Sequence, residues 1–278
     1  MSVPPVHLDF NATTPCDSRV VAAMLPFFTA DAGNTSSLYG AGRRAHDAVV
    51  NARLQVAALI EADDASELVF TSCGTESNTL ALVGAVRAQT KRHVVISSFE
   101  HPAISEPAAH LVREFGCTVT HVPVSRAGFV SVGDVMAAVT DDTAIVSIML
   151  ANNEVGTIQP IAEIGALLRA RGGVLFHTDA AQAVGKIPVS VNALGVDLLT
   201  IVDHKLYAPK GVGCLYVRRG TKLCPITFGG GQEGGLRPGT LNVPYIVALG
   251  EAARIAKDEY VLPERLAATA ALRDACSS

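Results

Sequence analysis

Short apolar runs alternate with longer stretches of helical periodicity through most of this 278-residue chain. Between several runs lie amphipathic patterns, such as residues 161–171 with apolar side chains at Ile164, Leu167 and Leu168. Alternating strands and helices favour an α/β fold, a mostly parallel sheet with helices on both faces. The last run follows its predecessor so closely that we expect it to pair antiparallel. The predicted strands are residues 68–71, 92–97, 118–122, 144–149, 174–177, 198–202 and 213–217.

The composition indicates a small-molecule ligand. Hydrophobic residues make up 49% of the chain, the net charge is −4, and the Lys and Arg residues are scattered. This distribution and the absence of Trp argue against nucleic-acid binding. No apolar stretch reaches the ~18 residues of a membrane span, and the N-terminus lacks the pattern of a signal peptide. We therefore expect a soluble, cytoplasmic protein without a membrane partner.

The six cysteines are widely spaced and include no Cys-x-x-Cys pair. This spacing argues against a zinc site and against a disulfide framework, so we expect no metal. We predict that most of the cysteines are reduced core residues, Cys214 in particular.

Two residues at strand ends suggest a cofactor. Lys205 follows the apolar run that ends at Val202, and Asp179 ends the run that starts near Val174. A lysine amine can bond covalently to an aldehyde cofactor, and a carboxylate can keep a pyridine nitrogen protonated so that the ring accepts electrons. The pair therefore predicts a site for pyridoxal 5'-phosphate (PLP).

Two segments of small residues suggest phosphate binding. Residues 71–78, which include Gly74 and Thr75, follow a predicted strand and open a helix, where backbone N–H groups can surround an anion. An N-cap turn with nothing bound is the alternative. Residues 228–240 carry six glycines with Arg237 and Thr240, which is typical of a mobile loop that admits anions or of a flexible surface connector.

Other polar residues follow predicted strands. His101 could stack on a planar cofactor or play a structural role, and Asn153 follows the strand near Val146. Gln182 and His177 flank Asp179, and His177 is expected to pack in the core. Because ligands of open α/β sheets bind at the carboxyl edge of the strands, we expect these polar groups to converge there.

Together these segments resemble the motifs of cysteine desulfurases and selenocysteine lyases, which are class V, fold-type-I PLP-dependent enzymes. The resemblance runs in order from about residue 6 to residue 256 and implies the PLP-dependent transferase fold. The motifs are Asp9-Phe-Asn-Ala-Thr-Thr-Pro15, Gly33-Asn-Thr-Ser-Ser37, Thr75-Glu-Ser-Asn78, Glu100-His101, Asn152-Asn-Glu-Val-Gly156, His177-Thr-Asp-Ala-Ala-Gln182, His204-Lys205 and Arg237-Pro-Gly-Thr240.

The resemblance implies a role for each site residue. Lys205 would bind the cofactor covalently and later move a proton at the substrate Cα. Asp179 would pair with the ring nitrogen and Gln182 with the ring hydroxyl. His101 would stack on the ring and serve as an acid–base group.

The phosphate and the substrate would have their own residues. Gly74, Thr75 and His204 would hold the phosphate, and Thr240 would do so from the partner subunit of a homodimer. The implied substrate site comprises Asn153 and Arg237.

The implied reaction converts L-cysteine into L-alanine and a persulfide, which would pass to an acceptor protein in iron–sulfur cluster assembly or tRNA thiolation. Selenocysteine lyase, which releases selenium and L-alanine from L-selenocysteine, is the alternative activity. A class V aminotransferase is a third possible activity, but the motifs at Asn153 and Arg237 argue against it. A non-catalytic scaffold or dimer partner is the fourth possibility.

Three positions near Lys205 depart from the family pattern. Asp203 stands where a glycine is usual, and we expect its carboxylate to lie close to the phosphate and weaken cofactor binding. Val202 replaces a phosphate-binding serine. Ala208 replaces a glycine, which requires a negative φ at that residue.

The length of the chain also departs from the family. We expect an N-terminal segment (1–18), a PLP-binding large domain (19–250) and the helical start of an incomplete small domain (251–278). The family's sulfur-accepting cysteine lies beyond residue 278, and Cys276 matches no motif, so we expect a C-terminally truncated chain. A helix from Pro263 would then expose its apolar face.

Overall fold

The seven predicted strands form one sheet in the computed structural model, which describes residues 9–277 and the side chains of residues 9–275. The strands are β1 (Leu68–Thr71), β2 (His93–Ser97), β3 (Thr118–Val122), β4 (Thr143–Ser147), β5 (Leu175–Asp179), β6 (Leu198–Val202) and β7 (Gly213–Val217). Their order is β1, β7, β6, β5, β4, β2, β3. β7 runs antiparallel to both neighbours, as expected, and the other pairs are parallel. The predicted fold class is confirmed.

Helices connect most of the strands and flank the sheet. They are α1 (Ser18–Met24), α2 (Gly40–Leu59), α3 (Gly74–Arg87), α4 (Pro102–Phe115), α5 (Val132–Ala138), α6 (Ile161–Arg171), α7 (Val191–Leu194), α8 (Val243–Ile255) and α9 (Pro263–Ser277). The bounds of α6 are those that its apolar periodicity predicts. α4 ends where Gly116 takes a left-handed conformation (φ 63°), which glycine adopts without steric cost.

Both faces of the sheet are covered by apolar side chains. Along β2, Val94 and Ile96 pack in one hydrophobic cluster with residues of α3 and α4, and Val95 packs in the other with residues of α2 and α8. This division follows from the alternation of side chains along a strand. Removing a fully buried side chain such as Ile96 by truncation to Ala should cost about 2–5 kcal/mol.

The N-terminal segment runs beside the loop that follows β6. The Thr14 backbone N–H donates to the His204 carbonyl (2.9 Å), and the Asp17 N–H donates to the Tyr207 carbonyl (3.0 Å). The Tyr207 N–H in turn donates to Thr14 Oγ1 (2.9 Å). These bonds hold residues 11–14 at the carboxyl edge of the sheet. Residues 1–8 of the predicted segment 1–18 lie outside the described residues.

The predicted boundary after residue 250 falls inside α8, where Leu249 and Ala252 are both buried. The division into 19–250 and 251–278 remains a prediction. On α9 the expected apolar face is exposed in part: Leu272 is 70% exposed, whereas Leu266 and Ala270 are partly buried. No helix in the described part of the chain combines the length and the apolar character that a membrane crossing needs.

Candidate active site

The loops after β1, β2, β4, β5 and β6 surround one cavity of about 510 Å³. Because these five strands are parallel to one another, their carboxyl ends share one edge of the sheet. Eight of the ten predicted site residues line the cavity: Gly74, Thr75, His101, Asn153, Asp179, Gln182, His204 and Lys205. The sequence-based expectation that these residues meet is confirmed.

Lys205 ends the short helical turn that follows β6. Its Nζ donates to the Ala12 carbonyl oxygen (2.9 Å) and to the Asn11 carbonyl oxygen. Burial lowers the pKa of this amine, and the charges of Asp9 and Asp179 act in the opposite direction. A lowered pKa increases the fraction of neutral amine, which is the nucleophilic form.

Asp179 is the last residue of β5 and is only 6% exposed. Its Oδ1 accepts from the Ala181 backbone N–H (2.9 Å), and its Oδ2 accepts from Asn78 Nδ2 (2.7 Å). Burial raises the pKa of this carboxyl group, whereas both hydrogen bonds and the charges of His101 and Lys205 lower it. The carboxylate can therefore pair with a cationic ring nitrogen from a position that is largely shielded from solvent.

His101 has a structural contact and also lines the cavity. It is the N-cap of α4, and its Nδ1 accepts from the Ala103 backbone N–H (3.0 Å). This contact leaves Nε2 as the protonated nitrogen of the neutral ring. The His101 side chain therefore has a structural role as a helix cap, which was one of its two predicted roles. Its ring also remains available to a ligand in the cavity.

The first turn of α3 lies at another side of the cavity. The backbone N–H groups of this turn have no partner four residues earlier, which suits an anion. A Cβ added at Gly74 would lie 2.5 Å from Val202 Cγ2, so only glycine lets this turn approach the end of β6 so closely. His204 also lines the cavity, and its pKa is lowered by burial and by Lys205, Lys210 and Lys186.

Gln182 is held from both ends of its amide. Its Nε2 donates to the Asn11 carbonyl (3.1 Å), and its Oε1 accepts from Lys186 Nζ (2.5 Å). Burial, with a contribution from Lys205, lowers the pKa of Lys186 to about 8. Asn11 also donates to the Asn153 carbonyl (3.4 Å), so this N-terminal residue connects three walls of the cavity.

Arg237 and Thr240 are not among the residues that line the cavity. Arg237 Nε donates to Glu76 Oε1 (3.0 Å), and Thr240 is exposed. Their predicted roles remain predictions. The loop 228–240, which we expected to be mobile, is anchored to α2 by an ion pair between Glu233 and Arg53 (2.6 Å) and to β1 by the Phe70 N–H, which donates to Glu233 Oε2 (2.8 Å).

The expected position of the Asp203 carboxylate is wrong. Its Oδ2 accepts from the Val212 backbone N–H (2.9 Å), and the residue is not among those lining the cavity. Burial raises the pKa of Asp203 to about 6. The reason for the difference is that side chains of successive residues in this turn point in different directions, so Val202, His204 and Lys205 reach the cavity and Asp203 does not. Ala208 is not among the residues with positive φ, which agrees with the negative φ that alanine requires at this position.

His177 packs in the core, as predicted. It is 0% exposed, and its ring nitrogens contact Ser147 Oγ (2.8 Å) and Thr200 Oγ1 (3.1 Å). Burial lowers the pKa of His177 to about 3, so the ring is neutral.

The expectation of buried cysteines holds for two of the five whose side chains are described. Cys117 and Cys214 are buried, and Cys16, Cys73 and Cys224 are partly exposed. Cys73 lines the cavity. The side chain of Cys276 lies outside the described residues.

Sequence reasoning gave no role to Asn11, Asn78 and Lys186, which the structure places in or beside the cavity. Asn78 lies three residues after Thr75 on α3, so helical periodicity puts both on one face and could have identified it. Asn11 has no comparable local signal, because its contacts are with residues more than 140 positions away.

The residues present fit PLP. An amine with a lowered pKa, a buried carboxylate and the open first turn of a helix surround one cavity, matching the aldehyde, the ring nitrogen and the phosphate of that cofactor.

Comparisons with known proteins agree with this site. Residues 6–275 match the family described as aminotransferase class V. A mitochondrial cysteine desulfurase of Arthroderma benhamiae is 49% identical over 262 residues, which cover 92% of this chain and 52% of that protein. The chain therefore spans about half the length of this relative.

Solved structures show the same fold. A NifS-like protein superposes with a TM-score of 0.87 at 41% identity, covering 91% of this chain and 69% of that one. SspA in complex with cysteine gives a TM-score of 0.84 at 37% identity, covering 89% and 72%. Residues 6–275, which match the aminotransferase class V family, include every strand of the sheet and every residue that lines the cavity. The chain therefore belongs to the class V aminotransferase family.

Proposed function

We propose that this chain carries the PLP-binding part of a cysteine desulfurase, which converts L-cysteine into L-alanine and transfers the sulfur to an acceptor thiol. The observation that carries the proposal is that the Lys205 amine and the Asp179 carboxylate line one cavity at the carboxyl edge of the sheet. The similarity to a cysteine desulfurase and to SspA, which was solved with cysteine, supports this choice of substrate.

When bound, PLP supplies an electron sink that stabilises negative charge on the substrate Cα. Lys205 is the residue that would hold the cofactor and, once its amine is free, move the proton at Cα, a task that its lowered pKa favours. Asp179 would keep the ring nitrogen protonated. His101 would stack on the ring, with its Nε2 free to exchange a proton.

The remaining residues would bind and orient. Gly74, Thr75 and His204 would hold the phosphate, because they combine the open helix turn with an imidazole ring that can donate a hydrogen bond. Gln182 would contact the ring hydroxyl.

The substrate would be bound by Asn153 and Arg237. We further propose a homodimer in which Thr240 completes the cavity of the partner subunit, a role that suits its exposed position outside its own cavity. In this proposal residues 19–250 form the cofactor-binding domain and residues 251–278 begin a smaller one.

The test is an assay for alanine after incubation of the purified chain with PLP, a reducing thiol and L-cysteine. We expect alanine and sulfide in equal amounts, loss of both in Lys205→Ala, and no change in Lys257→Ala, which removes an exposed lysine. The keto acid of cysteine as the main product would instead support an aminotransferase.

The same assay with L-selenocysteine tests the alternative substrate. Faster release of alanine from L-selenocysteine than from L-cysteine would support a selenocysteine lyase. If PLP binding requires Lys205 but neither substrate yields alanine, the result would support a non-catalytic scaffold or dimer partner.

A further inference from the structure

Asn78 is a buried amide at the wall of the cavity. It lies in the second turn of α3, is 1% exposed and lines the same cavity as Thr75 and Asp179. An uncharged polar group at such a position costs free energy unless it is hydrogen-bonded. The contacts of its two polar atoms therefore indicate why an amide occupies this site.

The two atoms differ in their contacts. Nδ2 donates to Asp179 Oδ2 at 2.7 Å, and Oδ1 has no hydrogen-bond partner in the described part of the chain. The orientation of the amide is fixed, because rotation by 180° would bring Oδ1 against the Asp179 carboxylate. The chain thus leaves one buried acceptor unpaired and keeps the donor on Asp179, which indicates that this donor has a function.

The effect of the donor on Asp179 follows from the rest of its surroundings. The Ala181 N–H binds the other oxygen (2.9 Å), so the two bonds together fix the plane of the carboxylate. A hydrogen bond to the ionised form favours that form and opposes the effect of burial. Without Asn78, one oxygen of the carboxylate would lose its side-chain donor.

We infer that Asn78 is a positioning residue that sets the orientation and the charge of Asp179 and, through Asp179, the protonation of the cofactor's ring nitrogen. This inference rests on the proposed function, since it assumes that PLP binds with its ring nitrogen at Asp179. It predicts that Asn78 matters only to a cofactor that has this nitrogen.

The experiment is an equilibrium titration of the cofactor-free chain with PLP and with an analogue in which CH replaces the ring nitrogen. Asn78→Ala should weaken PLP binding about tenfold, the equivalent of one pKa unit at Asp179. Affinity for the analogue should change much less, because the analogue makes no charged contact with Asp179. Equal weakening for both ligands would overturn the inference and leave Asn78 a merely structural residue.

Two further variants keep the test decisive. Asn78→Leu preserves the size of the side chain if Asn78→Ala does not fold, and it should weaken PLP binding selectively because it removes the donor to Asp179. Gln159→Ala removes a buried amide that is bound to Val130 and Gly128 outside the cavity. It should lower stability without distinguishing PLP from the analogue, and selectivity equal to that of Asn78→Ala would overturn the inference.

The titration also distinguishes failure of the proposed function from failure of the role inferred for Asn78. If the unmodified chain binds PLP without dependence on Lys205, the proposed function fails and the role of Asn78 fails with it. If binding depends on Lys205 but Asn78→Ala affects both ligands equally, only the role of Asn78 fails.

Discussion

Glu233 and Arg53 form an ion pair beside β1, which is one of the two edge strands of the sheet. Glu233 accepts from both terminal nitrogens of Arg53 (2.6 and 3.0 Å), and its side chain is 1% exposed. Glu233 Oε2 also accepts from the Phe70 N–H (2.8 Å), and Arg53 donates to the Leu68 carbonyl. The pair therefore satisfies outward backbone groups of the edge strand β1 and ties the loop 228–240 to the sheet.

Glu233→Ala should destabilise the fold, because it leaves the Arg53 charge and the Phe70 N–H without their partner. We expect a loss of about 3–5 kcal/mol in the free energy of unfolding. Urea denaturation measures this loss. The control is Asp141→Ala, which removes an exposed pair with Arg171 and should cost less than ~1 kcal/mol. Similar losses for both variants would contradict a structural role for the pair.

Glu100 should make stability depend on pH. Burial raises its pKa to about 8, although Ser97 and the Met149 N–H donate to Oε1, and the usual value is 4.5. The folded chain therefore binds more protons than the unfolded chain between these values. The contribution of Glu100 to the free energy of unfolding is fully present below pH 4.5 and is lost as the pH rises through about 8.

Glu100→Gln should remove this dependence, since the amide is neutral at every pH and keeps an acceptor for Ser97 and Met149. Relative to the unmodified chain, its free energy of unfolding should rise between pH 5 and 8 by up to about 1.4 kcal/mol per pH unit. Urea denaturation at several pH values gives the comparison. Glu163→Gln, which changes an exposed carboxylate, should give a curve parallel to that of the unmodified chain. If the free energy of unfolding of Glu100→Gln varied with pH in the same way as that of the unmodified chain, the raised pKa of Glu100 would be refuted.

Asp203 should matter to stability and not to cofactor affinity. Asp203→Ala leaves the buried Val212 N–H without its acceptor, and we expect a loss of about 1–3 kcal/mol. Asp203→Asn keeps an oxygen for this bond and should lose less. PLP titration of the same variants should show similar affinities. A large gain in affinity in Asp203→Ala would mean that the carboxylate does repel the phosphate.

The sequence predicted the elements that depend on local patterns. The bounds of all seven strands agree with the predicted runs to within two residues. Six strands contain consecutive apolar residues because both faces of the sheet are covered there, whereas β3 lies at an edge and Val122 is its one buried residue. Lys205 and Asp179 were identified because they stand at strand ends, and parallel strands bring such ends together. The antiparallel β7 followed from the short connection after β6.

Contacts between distant residues had no such signal. Arg53 and Glu233 are separated by 180 positions, and Asn11 and Lys205 by 194. Each pair depends on how a loop or terminus lies against the sheet, which neither periodicity nor turn chemistry specifies. The direction of the Asp203 side chain could not be predicted for a related reason. In a tight turn successive side chains point in different directions, so a shift by one residue decides whether a group faces the cavity or the core.

Whether Lys205 and Asp179 form a PLP site can be read from the visible absorbance of the purified chain after addition of PLP and dialysis. We predict a band that survives dialysis, shifts on addition of L-cysteine, is absent in Lys205→Ala and persists in Lys257→Ala. The same dialysis-resistant band in Lys205→Ala, or no band in an unmodified chain that circular dichroism shows to be folded, would mean that Lys205 and Asp179 do not form a PLP site.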